Sequence, residues 1–209
     1  MDRILVRPSG PLSGDVKING AKNSALKLMA ACTLAQGTYL LKEVPDITDV
    51  QSMAELLRSM GLTVRNLETN QIEIVNPGDI TPEAPYEQVE KMRASIVVLG
   101  PLVSTYGKAR VALPGGDDFG PRPIDMHLKG LEALGVRFSS EHGYIEAEAE
   151  RLTGSRVVLD FPSVGATENI MMAAVRAQGE TIIENAAREP EIADLAAFLN
   201  RMGAKVLGA

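Results

Sequence analysis

The chain has no tryptophan, one cysteine and two histidines in 209 residues. Aromatic residues make up only 4%, so its core has to be built from aliphatic side chains and methionine. Cys32 stands alone and cannot form an internal disulfide, which fits a reducing, cytoplasmic compartment. Basic residues are outnumbered, 21 against 27 acidic, for a net charge of −6. That deficit argues against general nucleic-acid binding, which needs a basic face. It does not exclude a small anionic ligand, because the local field outweighs net charge. No apolar run reaches membrane-spanning length, and Met1–Arg7 lacks the apolar region of a signal peptide. No CxxC, HExxH or carboxylate–histidine cluster has metal spacing, so no metal is expected. Dinucleotide and Walker glycine signatures are absent, and no cofactor is implied.

What is present is a repeat. The chain is 45% apolar and 23% charged, long enough for one sizeable core. Three stretches, Lys22–Gln36, Arg93–Tyr106 and Thr167–Gln178, are apolar on nearly all sides and end at Gly37, Gly107 and Gly179. Helices this apolar are buried. A short β-rich stretch follows each: Thr38–Leu41, Ala109–Leu113 and Thr181–Glu184. Next comes an amphipathic helix ended by glycine. Val50, Leu57, Met60 and Gly61 match Ile124, Leu131, Leu134 and Gly135, and again Ile192, Leu199, Met202 and Gly203. Two hairpins complete the pattern, Thr63–Val75 and Val136–Ala147, with turns near residues 68–70 and 141–143.

A period of roughly 70 residues marks repeated supersecondary units. Three units predict pseudo-threefold packing, with buried helices inside and sheets around them. The repeats run about 21–91, 92–164 and 165–209, and the third is read as truncated before its hairpin. Residues 1–20 stand outside the repeat and read as two short strands, Ile4–Arg7 and Asp15–Ile18.

The spacing between the two glycines of a unit is 24, 28 and 24 residues. The excess in the middle unit falls on Leu113–His127, L-P-G-G-D-D-F-G-P-R-P-I-D-M-H. Glycine and proline at that density make a loop, and loops with this much titratable chemistry carry function. A second signal lies at the starts of the buried helices. Lys22-Asn23-Ser24, Arg93-Ala94-Ser95 and Thr167-Glu168-Asn169 open them, and helix N-termini suit phosphate and carboxylate. The bland alternative is capping residues with solvated basic neighbours. Cys32, on a buried helix, reads as inert packing. His127 reads equally as a loop or nucleotide contact and as a helix-start residue, and His142 as a solvated turn residue.

G-A-K-N (Gly20–Asn23), M-R-A-S (Met92–Ser95), the L-P-G-G-D…G-P-R-P-I-D-M-H loop, S-V-G-A-T (Ser163–Thr167) and E-N-A-A-R-E-P-E-I (Glu184–Ile192) together resemble the UDP-N-acetylglucosamine enolpyruvyl transferases. The resemblance runs along the whole chain. It implies an inside-out α/β barrel, the enolpyruvyl transferase fold. It also implies two such domains in a protein about twice this length, with residues 1–20 belonging to the second domain. On that basis the 209 residues are expected to be half an enzyme, inactive alone.

The implied reaction moves the enolpyruvyl group of phosphoenolpyruvate to the 3′-hydroxyl of UDP-N-acetylglucosamine and releases phosphate. It is the first committed step of peptidoglycan synthesis. By resemblance, Lys22 and Asn23 contact phosphoenolpyruvate and the reacting centre, and Arg93 binds the anionic ligands. Arg122, Pro123, Ile124, Asp125 and Met126 hold the uridine nucleotide, with Ser163, Val164 and Gly165 completing its site. Asp117 stands where most relatives carry cysteine, and would protonate the phosphoenolpyruvate carbon. A carboxyl needs a raised pKa for that task, and like-charge repulsion from Asp118 could help. A carboxylate also lacks thiolate nucleophilicity, so resistance to the epoxide fosfomycin is expected. Phe161-Pro162 replaces a lysine found in many relatives and puts one diphosphate contact in doubt.

Two alternatives remain open at this level. One is a shikimate-pathway enolpyruvyl transferase, disfavoured because Asn23 follows Lys22 where that family has serine. The other is a non-catalytic nucleotide-sugar-binding module. The strand edges left unpaired in such a chain also predict self-association.

Overall fold

The computed structural model describes residues 3–67, 70–90, 92–113 and 124–209, with the side chain of Arg93 excepted. The loop residues Asp117, Asp118, Arg122 and Pro123 lie outside that set.

The first unit runs α1 (Lys22–Ala31), β1 (Gly37–Lys42), α2 (Thr48–Ser59), β2 (Thr63–Asn66) and β3 (Gln71–Asn76). Its sheet has the order β1-β3-β2, antiparallel throughout. The second unit begins with β4 (Glu83–Ala84) and the short α3 (Tyr86–Val89). A 3₁₀ stretch at Arg93–Val98 leads into α4 (Leu99–Tyr106), then β5 (Lys108–Ala112), α5 (Asp125–Ala133), β6 (Arg137–Glu141) and β7 (Tyr144–Glu148). Its sheet has the order β4-β5-β7-β6, with β4 parallel to β5. The third unit has β8 (Arg156–Val158), α6 (Val164–Ala174), β9 (Ile182–Glu184) and α7 (Pro190–Arg201), with β8 parallel to β9.

The predicted repeat is therefore present, and the buried helices pack on one another. Leu26, Met29, Leu99, Leu102 and Ile170 are almost fully enclosed. The sheets bury one face each. In β3, Ile72, Ile74 and Asn76 face inward, as period-two alternation requires. Both predicted hairpins form, the second through His142 and Gly143 at positive φ, the geometry of a tight two-residue turn.

Four expectations need correction. Residues 3–20 form no strand, and Ile4, Leu5, Val6, Leu12, Val16 and Ile18 are exposed. A strand needs a neighbour for its N–H and C=O groups, and no described sheet offers one there. Residues 93–106 are not one helix. Pro101 inside a continuous helix would clash with the carbonyl of Val97. The chain instead runs 3₁₀ to Val98 and starts α4 at Leu99, which leaves Pro101 in the first turn, where proline is tolerated.

The first and third buried helices also end earlier than predicted. After Ala31 the bonds tighten to i→i+3 type, Cys32 to Met29 and Thr33 to Ala30, and the Asn76 amide caps the freed Cys32 carbonyl at 3.0 Å. After Ala174 the same tightening occurs. Finally, the third buried helix starts at Val164, not Thr167. The Ser163 hydroxyl accepts the Ala166 N–H at 3.4 Å, an N-cap three residues upstream. Thr167, Glu168 and Asn169 are thus enclosed within the helix, not at its mouth.

Candidate functional site

α1 has no side-chain cap at its start, so its first N–H groups are left for other partners. Lys22 and Asn23 sit there, exposed. Lys22 Nζ reaches Asp49 Oδ2 of α2 at 2.6 Å. Asn23 Nδ2 donates to Glu191 Oε1 of α7 at 3.5 Å, and Ser24 donates to Asp194 of the same helix. Three helix N-termini, those of α1, α2 and α7, are drawn together by these contacts. Asp49 and Glu191 lie in first turns, where the helix dipole favours acids.

The second group lies at α5 and α6. Ile124 precedes α5 and Asp125 opens it, while Ser163 caps α6 ahead of Val164 and Gly165. Close helix approach brings the two starts together. A Cβ on Gly130 would stand 2.1 Å from Ile170 Cδ1, and one on Gly165 would stand 3.1 Å from the His127 ring. Gly130 leaves no room for a side chain at this spacing, and Gly165 leaves little. Lys129 ties the segments further, with Nζ 3.3 Å from Asp160 and 3.7 Å from Asp125.

The two groups lie at one end of the domain. Lys27, in the second turn of α1, meets Glu168, in the second turn of α6, at 3.0 Å. The helix starts are therefore at similar depth.

The sequence-predicted residues divide as follows. Lys22 and Asn23 are together and exposed. Ile124, Asp125, Ser163, Val164 and Gly165 are together around the α5–α6 starts. The Met126 side chain is 5% exposed and belongs to the core, so any ligand contact there falls to its backbone. Arg93 opens the 3₁₀ stretch. Asp117, Arg122 and Pro123 are outside the described residues. Phe161 is exposed, beside the Ser163 cap. Cys32 is fully buried, and burial pushes its thiol far up, in keeping with inert packing.

His127 takes the helix-start position, in the first turn of α5. It is buried in α5, with Nδ1 3.0 Å from Asn169 Nδ2. Asn169 Oδ1 accepts the Gly100 N–H at 2.7 Å, and Nδ2 also donates to the Ile96 carbonyl at 3.1 Å. With Oδ1 committed as acceptor, Nδ2 is the donor to His127, and the imidazole carries its proton on Nε2.

Sequence reasoning missed Glu168 and Asn169 as interior residues. Glu168 is enclosed, and burial, the leading cause, raises its carboxyl to about 7 against the pull of Lys27. The signal was available. Lys27, Val97 and Asn169 each stand ten residues before their unit's glycine, and Leu26, Ile96 and Glu168 stand eleven before. Polar residues at positions that are apolar in sister repeats mark interior exceptions.

Among the described residues no group of three or more His, Cys, Asp or Glu could hold a metal, and no helix is long and apolar enough to cross a membrane. A cavity of about 1280 Å³ opens beside α6, β9 and α7, lined in part by Met171, Ile183, Ile192 and Val206. It contains none of the predicted site residues.

Buried helices ringed by small sheets are the arrangement of the enolpyruvyl transferase fold. The enolpyruvyl transferase NikO from Streptomyces tendae superposes with a TM-score of 0.81 at 22% identity, over 94% of this chain and 46% of that one. An EPSP synthase from Acinetobacter baumannii gives 0.67 at 17% identity, over 86% and 42%.

The family described as EPSP synthase (3-phosphoshikimate 1-carboxyvinyltransferase) matches residues 6–209, and the chain belongs to this enolpyruvyl (carboxyvinyl) transferase family of enzymes. It is 56% identical over 209 residues to UDP-N-acetylglucosamine 1-carboxyvinyltransferase 2 of Carboxydothermus hydrogenoformans. It is 52% identical over 208 residues to UDP-N-acetylglucosamine 1-carboxyvinyltransferase 1 of Caldanaerobacter subterraneus subsp. tengcongensis. The chain covers 50% and 49% of those two proteins, so it spans about half the length of the curated relatives it matches.

Proposed function

We propose that these 209 residues are the nucleotide-sugar-binding part of a UDP-N-acetylglucosamine 1-carboxyvinyltransferase acting in peptidoglycan synthesis in the cytoplasm. Similarity along the whole chain to two proteins of that name supports this most directly. The α5–α6 junction adds a physical reason. Ile124–Met126 and Ser163–Gly165 converge there, and the N-terminus of α6 offers amide donors to a diphosphate. We assign Arg122, Pro123, Ile124, Asp125, Met126, Ser163, Val164 and Gly165 to the nucleotide. Lys22, Asn23 and Arg93 go to the anionic co-substrate, phosphoenolpyruvate. The domain assignment, residues 1–20 apart from a three-repeat 21–209, accompanies this reading.

The chemistry divides into attack of the sugar 3′-oxygen on C2 of phosphoenolpyruvate with protonation of C3, then elimination of phosphate. Lys22 supplies positive charge beside the phosphate and Asn23 a donor, both held by carboxylates of neighbouring helices. Asp117 is assigned the proton delivered to C3. A half cleft cannot exclude water from this reaction, so turnover by the 209 residues alone is not expected.

Calorimetric titration with UDP-N-acetylglucosamine tests the reading. Saturable binding, weakened by Arg122→Ala, is expected; no saturable heat refutes it. The family's own description favours a second reading, an enzyme of 3-phosphoshikimate. Titration with that compound separates the two, since only one ligand should saturate.

A further inference from the structure

α1 gathers polar contacts from several neighbours. Lys22 reaches Asp49 of α2, and Asn23 and Ser24 reach Glu191 and Asp194 of α7. One turn deeper, Lys27 reaches Glu168 of α6. The first contacts are at the surface. The last is sealed, with side-chain exposures of 8% and 0%. Lys27 sits at ion-pair distance, yet neither Glu168 oxygen is met in hydrogen-bond geometry. The segment ahead of α7 is pinned to the same stretch of α6, because the Ala187 N–H donates to Thr167 Oγ1 at 3.1 Å.

A buried pair so poorly satisfied is a weak source of stability, and apolar residues of similar volume often serve as well or better. The sister repeats show that alternative. Leu26 and Ile96 stand at the position of Glu168, and Val97 at that of Lys27. What a charged pair adds over an apolar one is register, because only one depth of α1 against α6 brings the charges together.

We propose that Lys27 and Glu168 are a positioning pair that fixes α1 against α6 and so holds Asn23 at the acidic start of α7 and Lys22 at Asp49 of α2. The functional weight of the pair rests on the reading that Lys22 and Asn23 face the anionic substrate. Neither member touches substrate. Among the described residues the charged groups facing Glu168 are Lys27 from α1, and Glu189 and Glu191 at the start of α7. Burial and these two acids favour the neutral carboxyl, and Lys27 favours the carboxylate. Glu191 is also the acceptor of the Asn23 amide. The charge on Glu168 is thereby coupled to the geometry at Asn23 through Lys27 on one side and Glu191 on the other.

The test uses nuclear magnetic resonance of the 209-residue chain. The Glu168 carboxyl carbon and the Asn23 side-chain amide are followed from about pH 5 to about pH 9. The Asn23 amide is expected to inflect at the midpoint of Glu168. That inflection is lost in Glu168→Gln and kept in Lys27→Arg. The double variant Lys27→Met with Glu168→Met is expected to retain the melting temperature, which removal of a purely structural pair would lower, and to show no inflection. An Asn23 amide insensitive to the wild-type Glu168 midpoint overturns the proposal, and so does an inflection that survives in folded Glu168→Gln. The wild-type co-titration decides the matter even where a variant fails to fold. No ligand enters the measurement, so failure of nucleotide-sugar binding would overturn the functional reading and leave this result intact.

Discussion

Replacing Glu168 by glutamine should flatten the dependence of stability on pH. In the fold its carboxyl is raised from an ordinary 4.5 to about 7, chiefly by burial. A raised carboxyl favours the protonated form in the folded state. Its contribution is therefore present in full below about pH 4.5 and is lost as pH rises through about 7. The shift corresponds to about 3 kcal/mol across that window. Roughly 2 kcal/mol of it falls between about pH 5.5 and about pH 8. Glutamine keeps the shape and cannot ionise. Urea unfolding of wild type and Glu168→Gln at these two pH values gives a double difference in which the other carboxylates cancel. The wild type should lose about 2 kcal/mol more than the variant on going to the higher pH. Removing the cation has the opposite signature. Lys27→Met leaves the carboxylate unpaired, and should cost about 3–5 kcal/mol at high pH and less at low pH, where Glu168 is protonated. Parallel slopes for wild type and Glu168→Gln would refute the reasoning.

Other outcomes follow from the same structure. Gly130→Ala sets a methyl against Ile170 and should cost about 1–3 kcal/mol by chemical denaturation; an unchanged midpoint would mean that α5 and α6 have room to part. Fosfomycin should leave these 209 residues unmodified, since Cys32 is buried and Asp117 offers no thiolate, and should label Asp117→Cys. Intact mass reads both, and an adduct on the wild type counts against the assignment. Self-association through the strand edges of β1 and β9 is expected to appear as a concentration-dependent sedimentation coefficient; a constant monomer value excludes it.

The helix–strand–helix–hairpin unit was legible because its signals are local. Apolar helices, glycine stops and period-two strands each declare themselves within a dozen residues. Strands β4 and β8 were not. They are two and three residues long, and exist only because parallel partners β5 and β9 come back beside them. Nothing within Glu83–Ala84 reports where β5 will lie. The start of α6 was misplaced for a related reason. Ser163 is an ordinary N-cap, but the apolar periodicity that locates a helix becomes plain only deeper inside. At the site, Lys22 and Asn23 were identifiable as a polar start to an apolar helix. Lys22 finds Asp49 in its own unit, but the acceptors of Asn23 and Ser24, Glu191 and Asp194, are about 170 residues away in sequence, and only the threefold closure brings α7 to α1.

That closure also explains why the interior polar residues lie where they do. A perfectly repeated core could slide or rotate, because each unit would accept either neighbour. At the positions ten and eleven residues before the glycines, the first unit holds Leu26 and Lys27, the second Ile96 and Val97, the third Glu168 and Asn169. No two units carry the same polar side chain. Asn169 is satisfied on the second unit, where the Gly100 N–H and the Ile96 carbonyl are left by the break before Pro101. Among the described residues Glu168 finds its cation on the first. The third unit therefore reads both of its neighbours through adjacent residues of one helix turn. Desolvated polar groups that pair in one arrangement and are stranded in all others select among packings more sharply than aliphatic contacts do. The asymmetry between the helix starts at the proposed binding end of the domain is thus set in the core beneath it.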